Sequence, residues 1–243
     1  RRPLAGTVQR SDDGSVVARS EIEIVGSDAA VMARHRRTLV VEPGGTLRFD
    51  EEVDVPEAWA DLPRVGVSFV LPDGFERIEW LGLGPWETYA DRHSSATVGR
   101  WESTVSDQFV PYLSPQEHGL HWSTRWFALE QAAPRRNGPP LGVLVTGRVA
   151  SSGGSGPSAS TDTPAPVDAP GRLAFSALHH SASDLFTAGD LTELVPRDEV
   201  IVHVDAAHRG LGTRSCGPDT LDRYLVRSGT HRWTWELAPY VVG

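Results

Sequence analysis

Lysine is missing from this sequence, and all 23 basic residues are arginine. That bias reads as codon usage in a GC-rich genome and excludes little. The single cysteine, Cys216, excludes more, because no disulfide can form within the chain. Cysteine and histidine nowhere show zinc-site spacing, so no metal site is expected. No apolar run is long enough to span a bilayer, which excludes a membrane helix. Arg1-Arg2-Pro3 is not followed by the hydrophobic region of an export signal, and the expected location is cytoplasmic. Basic excess is lacking too. The formal net charge is −9, and a phosphate-binding face needs the opposite sign, so nucleic acid is not an expected partner. Long amphipathic helical periodicity is also absent, and only 58–61 and 217–224 are candidates for short helical pieces.

What the chain does have is strand patterning. With 243 residues and 39% hydrophobic content it can build a large core, anchored by eight tryptophans. Residues 20–25 alternate polar and apolar with period two, as a half-buried strand does. Further strand-like runs lie at 16–18, 37–41, 46–55, 62–71, 75–83, 120–129, 142–150, 172–178, 199–206 and 231–237. Turn signals such as Asp12-Asp13-Gly14, Pro43-Gly44-Gly45 and Pro72-Asp73-Gly74 separate several of them. Some twelve or more short strands predict an all-β fold, a large antiparallel β-sandwich. Residues 1–15 and 183–193 read as polar connections. Residues 151–171 are low-complexity Ser, Gly, Pro, Ala, Thr and Asp, too poor in large apolar side chains to offset their ordering entropy. They read as a mobile loop inside one β-sandwich domain spanning 1–243, the alternative being a linker between two domains.

Three blocks carry candidate chemistry. The first is Trp80-Leu81-Gly82-Leu83-Gly84-Pro85-Trp86-Glu87-Thr88-Tyr89-Ala90-Asp91-Arg92, an apolar strand that stops at Gly84-Pro85 and opens into a polar loop. Glu87, Tyr89, Asp91 and Arg92 suit a loop tied together by hydrogen bonds and a carboxylate–guanidinium pair. The second holds Pro111, Tyr112, Pro115, Gln116, Glu117 and Gly119, with Arg125 on the strand that follows; its prolines keep it extended. The third runs from Asp205 through His208, Arg209, Gly210, Leu211 and Gly212 to Ser215, Cys216, Gly217 and Pro218, a glycine-rich loop. His203 and Asp205 alternate onto one strand face, and with His179, His180 and His208 they read as structural residues, since nothing converges three or four ligands. Trp86 could expose a stacking ring. Trp122 and Trp126 share a predicted strand face as core anchors.

The order of these blocks, preceded by Leu62-Pro63-Arg64-Val65-Gly66, resembles the C-terminal small-chain domain of the family 2 glycoside hydrolase β-galactosidases over roughly residues 35–237. The resemblance implies a β-supersandwich of the galactose-mutarotase-like kind, packed in the whole enzyme against a catalytic (β/α)₈ barrel and closing one side of a galactose pocket. It implies retaining hydrolysis of terminal β-galactose, as in lactose, by two glutamates in the barrel. A barrel of about 250 residues cannot fit in this chain beside a β-domain. The isolated chain is therefore expected to be inactive and to contribute no catalytic residue. Family enzymes often use Mg and Na, bound mainly outside this domain, so no cofactor is expected here.

The family domain usually opens with an Arg-Ala-Pro-Thr-Asp-Asn-Asp type motif, which nothing before Arg34 matches, so the chain reads as N-terminally truncated. The best-known members place a substrate-stacking Trp where this sequence has Cys216, so that aromatic platform is not carried over. Cys216, His208, Arg209, Ser215 and Gly217 are either a tight structural loop or, in the full-length enzyme, the lip of the sugar pocket. A retaining pair needs carboxyl groups about 5–5.5 Å apart. Glu76 and Glu79 fall on opposite strand faces, and Glu87 and Asp91 read as loop ties. A free-standing carbohydrate-binding module or an aldose mutarotase-like domain is the alternative function.

Overall fold

The computed structural model describes residues 1–26, 32–59, 61–134, 138–148, 171–212 and 218–243. Most of the low-complexity segment therefore lies outside the described residues. The strands are β1 (Arg2–Arg10), β2 (Val16–Val25), β3 (Met32–Val41), β4 (Leu47–Val55), β5 (Arg64–Leu71), β6 (Phe75–Gly84) and β7 (Thr97–Thr104). They continue as β8 (His121–Thr124), β9 (Trp126–Gln131), β10 (Leu141–Arg148), β11 (Leu173–Leu178), β12 (Val200–His208) and β13 (Gly229–Val241). One short helix, α1 (Ala182–Thr187), joins β11 towards β12.

Nine strands form one sheet in the order β1-β2-β3-β4-β13-β10-β9-β6-β7, and four form a second in the order β5-β12-β11-β8. Every strand pair is antiparallel. The all-β antiparallel architecture expected from the strand patterning is present. The core lies where the small sheet covers the middle of the large one. Phe127 of β9 stacks on Phe175 of β11 with centroids 4.1 Å apart. Trp235 of β13 stacks on Phe49 of β4 at 4.0 Å and on Phe69 of β5 at 6.0 Å, so one indole ties both sheets.

Alternation explains which residues go inside. Along β4, Phe49, Glu51, Val53 and Val55 are buried while the residues between them are half-buried, the period-two pattern of a strand with one covered face. Glu51 follows the inward register although it is charged. Arg37 and His35 meet its carboxylate there, at 2.9 and 2.6 Å.

The expected single strand over 120–129 is not what forms. Ser123 adopts a left-handed backbone, φ 59°, and the chain changes sheets: β8 pairs with β11, whereas β9 pairs with β10 and β6. Trp122 is therefore buried in a second apolar cluster with Tyr89, Leu120 and Ala174, while Trp126 is only half-buried in the large sheet. They do not share a face. Among the described residues, 57–58 form a turn, and of the expected helical piece at 217–224 only a 3-10 turn, Asp222–Tyr224, is seen. The polar 183–193 connection instead carries most of α1 and a 3-10 turn, Leu191–Glu193.

Candidate functional site

The three motif blocks, with Arg64, meet on the outer face of the small sheet. Core side chains of β12 point inward at Val200, Val202 and Val204; alternation therefore sends His203 and Asp205 to the other face. Loops from the large sheet cover that face.

The first block supplies the cover. After a cis Gly84-Pro85 bond, Glu87 turns back and gathers three partners. It accepts hydrogen bonds from the Gly119 N–H at 2.7 Å and the Tyr112 hydroxyl at 2.8 Å, and pairs with the Arg92 guanidinium. Arg92 Nη2 also donates to Tyr112 Oη at 3.2 Å. Thr88 is joined to the next block from both sides: its N–H donates to the Leu120 carbonyl at 2.7 Å, and its hydroxyl accepts from Trp122 N–H at 2.9 Å. Pro111 is exposed and Pro115 half-buried along this extended run. Trp80, one strand back, is buried in the main core, and Trp86 stands out in solvent.

Asp91 reaches the third block. Its carboxylate accepts the backbone N–H groups of Leu211 and Gly212 at 3.1 and 2.8 Å. The approach needs glycine at 210, since a Cβ there would sit 2.6 Å from Asp91 Cγ. The far side of the loop is fixed by Thr220, whose hydroxyl donates to the Gly210 carbonyl at 2.9 Å. Arg209 is engaged by its neighbours at the surface: it bonds Asp61 at 2.9 Å, Asp219 at 2.8 Å and Thr220 at 3.0 Å. Ser215, Cys216 and Gly217, the remaining expected lip residues, lie outside the described residues.

Beneath these loops sits a knot in which Tyr89, Asp205 and His208 are buried and Arg64 and Glu117 half-buried. Arg64 is hydrogen-bonded to Glu117 through Nη2, and its Nη1 lies 3.4 Å from Asp205 Oδ2. His208 Nε2 lies 3.5 Å from Glu117 Oε1, within attraction but without hydrogen-bond geometry. The Tyr89 and His208 rings meet edge-on at 5.5 Å. Asp205 fits only because residue 66 is glycine: a Cβ there would lie 2.1 Å from Asp205 Oδ1.

The charges respond to this setting in opposite ways. Burial would raise the Glu117 carboxyl, but the neighbouring His208 and Arg64 outweigh it and hold it at about 2. For Asp205 burial wins over Arg64, and the carboxyl is pushed up to about 6. Burial, with Glu117 and Glu87 nearby, lifts the Tyr89 phenol well above its ordinary range. Burial and then Arg64 push His203 down to about 4. Two other histidines belong elsewhere. His121 bonds Gln108 at 2.6 Å, and burial takes it down to about 3; His179 pairs with Glu76 at 2.9 Å. Among the described residues no three His, Cys, Asp or Glu side chains come together as metal ligands.

Arg64 and Thr220 are the members that sequence reasoning passed over as site residues. A signal for Arg64 existed. Asp205 stands in an apolar strand, and a buried carboxylate calls for an opposite charge; Arg64 opens another strand of the same kind.

This set of residues spans 64–220, and a family model described as "Beta galactosidase small chain" matches residues 5–237. The chain belongs to that family. A β-galactosidase of Arthrobacter sp. (strain B7) is 32% identical over 202 residues, covering 80% of this chain and 18% of the relative. Those of Staphylococcus xylosus and Klebsiella pneumoniae are 26% and 28% identical, covering 81% and 88% of this chain and 17% of each relative. The chain thus spans less than a fifth of the length of these β-galactosidases. A solved structure described as a putative aldose 1-epimerase from Escherichia coli K12 aligns with 99% of this chain and 68% of its own, at 10% identity and TM-score 0.44. The small-chain match takes in every residue of the knot and of the three blocks.

Proposed function

We propose that this chain is the β-sandwich part of a β-galactosidase that hydrolyses terminal non-reducing β-D-galactose residues. The small-chain match over residues 5–237 carries the reading. In it, the domain contributes a wall of the sugar pocket and contacts to the other domains, above all a catalytic barrel. The two catalytic glutamates belong to that barrel. The motif carboxylates support this division of labour. Glu87 and Asp91 are occupied by N–H and guanidinium donors, and Glu117 and Asp205 are engaged with Arg64. A general acid must instead reach the leaving oxygen with a transferable proton. The loop that follows His208 forms the pocket lip in this proposal, with His208 buried at its foot and Mg and Na held outside the domain. A lone cysteine suits a reducing cytoplasm.

Assay of an aryl β-galactoside tests the reading. The purified chain alone should show no turnover, while the polypeptide that includes the barrel should hydrolyse it. Turnover by the chain alone would overturn the proposal. Interconversion of galactose anomers by the chain alone would favour a mutarotase.

A further inference from the structure

The face of the large sheet turned away from the small one carries a groove of about 620 Å³ that crosses β1, β2, β3, β4 and β13. Strand register places its walls. Ala5, Glu21, Arg36, Glu52 and Arg232 lie side by side in one row, and Thr7, Arg19, Thr38, Asp50 and Thr234 in the next row but one. Between these rows Glu51 and Trp233 are buried on the core side. Alternation therefore turns both outer rows to solvent and leaves the backbone of the middle row as the floor. Sheet geometry sets the shape. Five strands about 4.8 Å apart make the groove roughly 19 Å long, and walls two residues apart make it about 7 Å wide.

The walls are set before any ligand arrives. Arg36 donates to Glu21 at 3.2 Å and to Asp54 at 2.8 Å, and pairs with Glu52. Arg232 donates to Glu52 at 2.6 Å, and the Thr234 hydroxyl donates to Asp50 at 2.9 Å. Side chains already ordered lose little freedom on binding. Wall charges cancel: three arginines, Arg19, Arg36 and Arg232, face three carboxylates, Glu21, Asp50 and Glu52. An anionic chain would meet those carboxylates, and a cationic one the guanidinium groups. An extended peptide finds few main-chain partners, because the N–H and C=O groups of the floor are spent in the sheet ladders. Hydroxyl groups suit the walls, since each can donate to a carboxylate and accept from a guanidinium or a threonine hydroxyl.

We propose that this groove binds a linear, neutral, hydroxyl-rich chain, an oligosaccharide lying across the strands. Its volume falls in the range of ligand sites, about 300–1,000 Å³. Its length and narrowness favour a single extended chain over a compact molecule. Recognition is by hydrogen bonds and not by ring stacking, because Trp233, the aromatic residue at the groove, packs its ring in the core. The inference rests on the register and charge of the large sheet and stands whether or not the galactosidase reading holds.

Titration of the full 243-residue chain with β-1,4-galactotetraose, followed by backbone amide NMR, tests the proposal. Shifts should gather at residues 5–7, 19–21, 36–38, 50–52 and 232–234 and should saturate. Tetramers of galacturonic acid and of glucosamine, which carry charge, should bind several-fold more weakly. Thr38→Trp sets a bulky but strand-compatible side chain in the middle of one wall and should weaken binding about tenfold. Arg19 is exposed and forms no ion pair among the described residues. Arg19→Ala should therefore leave the fold intact and weaken binding several-fold, which keeps the test open if the tryptophan variant does not fold. Shifts confined to 208–212 would refute the groove while leaving the pocket-lip reading in place. Absence of any shift, equal binding of the charged tetramers, or unchanged affinity in the variants that fold would also overturn it.

Discussion

Asp205 shows how a single side chain can set a pH response. Its carboxyl sits at about 6 in the folded chain against an ordinary 3.8. Between those values the folded state binds the proton more tightly than the unfolded one, so stability falls as pH rises from about 4 to about 6. Roughly two pH units at about 1.4 kcal/mol each give about 3 kcal/mol. Glu117 works the other way: held at about 2 against 4.5, it loses its contribution as pH falls through that window. Asp205→Asn should therefore remove the decline between pH 4 and 6 and leave the acid-side loss in place. Urea midpoints across pH 3–7 for both proteins check this, and parallel curves would refute it. Asp205 was legible in the sequence as a residue of the third block on an apolar strand, but the close packing that completes its burial was not. That depends on Gly66, a residue 139 positions away in the chain that the strand register brings opposite it.

Elements differed in how plainly they could be read, and the reason lies in what each strand faces. β4, β6 and β12 bury alternate residues, and their patterns are visible in the sequence. β1 is exposed along its whole length and β7 along much of it, so neither needs apolar alternation and neither was recognised. Both are edge strands of the large sheet. Ser123 hid a change of sheet inside what reads as one continuous strand. The helix α1 had a signal that polar composition masked. Ser181 caps it by accepting from Asp184 N–H at 3.1 Å while Asp184 accepts from Ser181 N–H at 2.7 Å, a capping box one methylene shorter than the usual Ser-x-x-Glu. Asp184 is also held by Arg197 at 2.6 and 2.8 Å. Ser181→Ala should cost about 1 kcal/mol and speed amide exchange over 182–187 without altering exchange in the core strands. Uniform acceleration across the sheets would show that the cap is not local.

At the scale of the molecule, stability should be distributed unevenly along the nine-stranded sheet. The small sheet covers only part of it. Residues of β11 are all buried, and Phe175 stacks on Phe127 across the interface while Trp80 packs edge-on against it. The other end is a wing: β1 pairs only with β2 within the sheet and buries no side chain. Local opening costs little where few apolar contacts must be broken, and approaches the global value where many must. Phe175→Ala should then lower unfolding free energy by about 3–5 kcal/mol, the range for emptying an aromatic site in a packed core. Removal of residues 1–10 should cost far less, since it takes away one edge ladder and no core. Native-state hydrogen exchange provides the finer check. Amides of β11 and β12 should exchange only by global unfolding, and those of β1 should exchange orders of magnitude faster. β2 should lie between them, because Glu23 is buried there and pairs with Arg2 and Arg34. Protection in β1 equal to that in β12 would mean that the wing unfolds only with the core, a cooperativity its exposed surface gives no physical reason to expect.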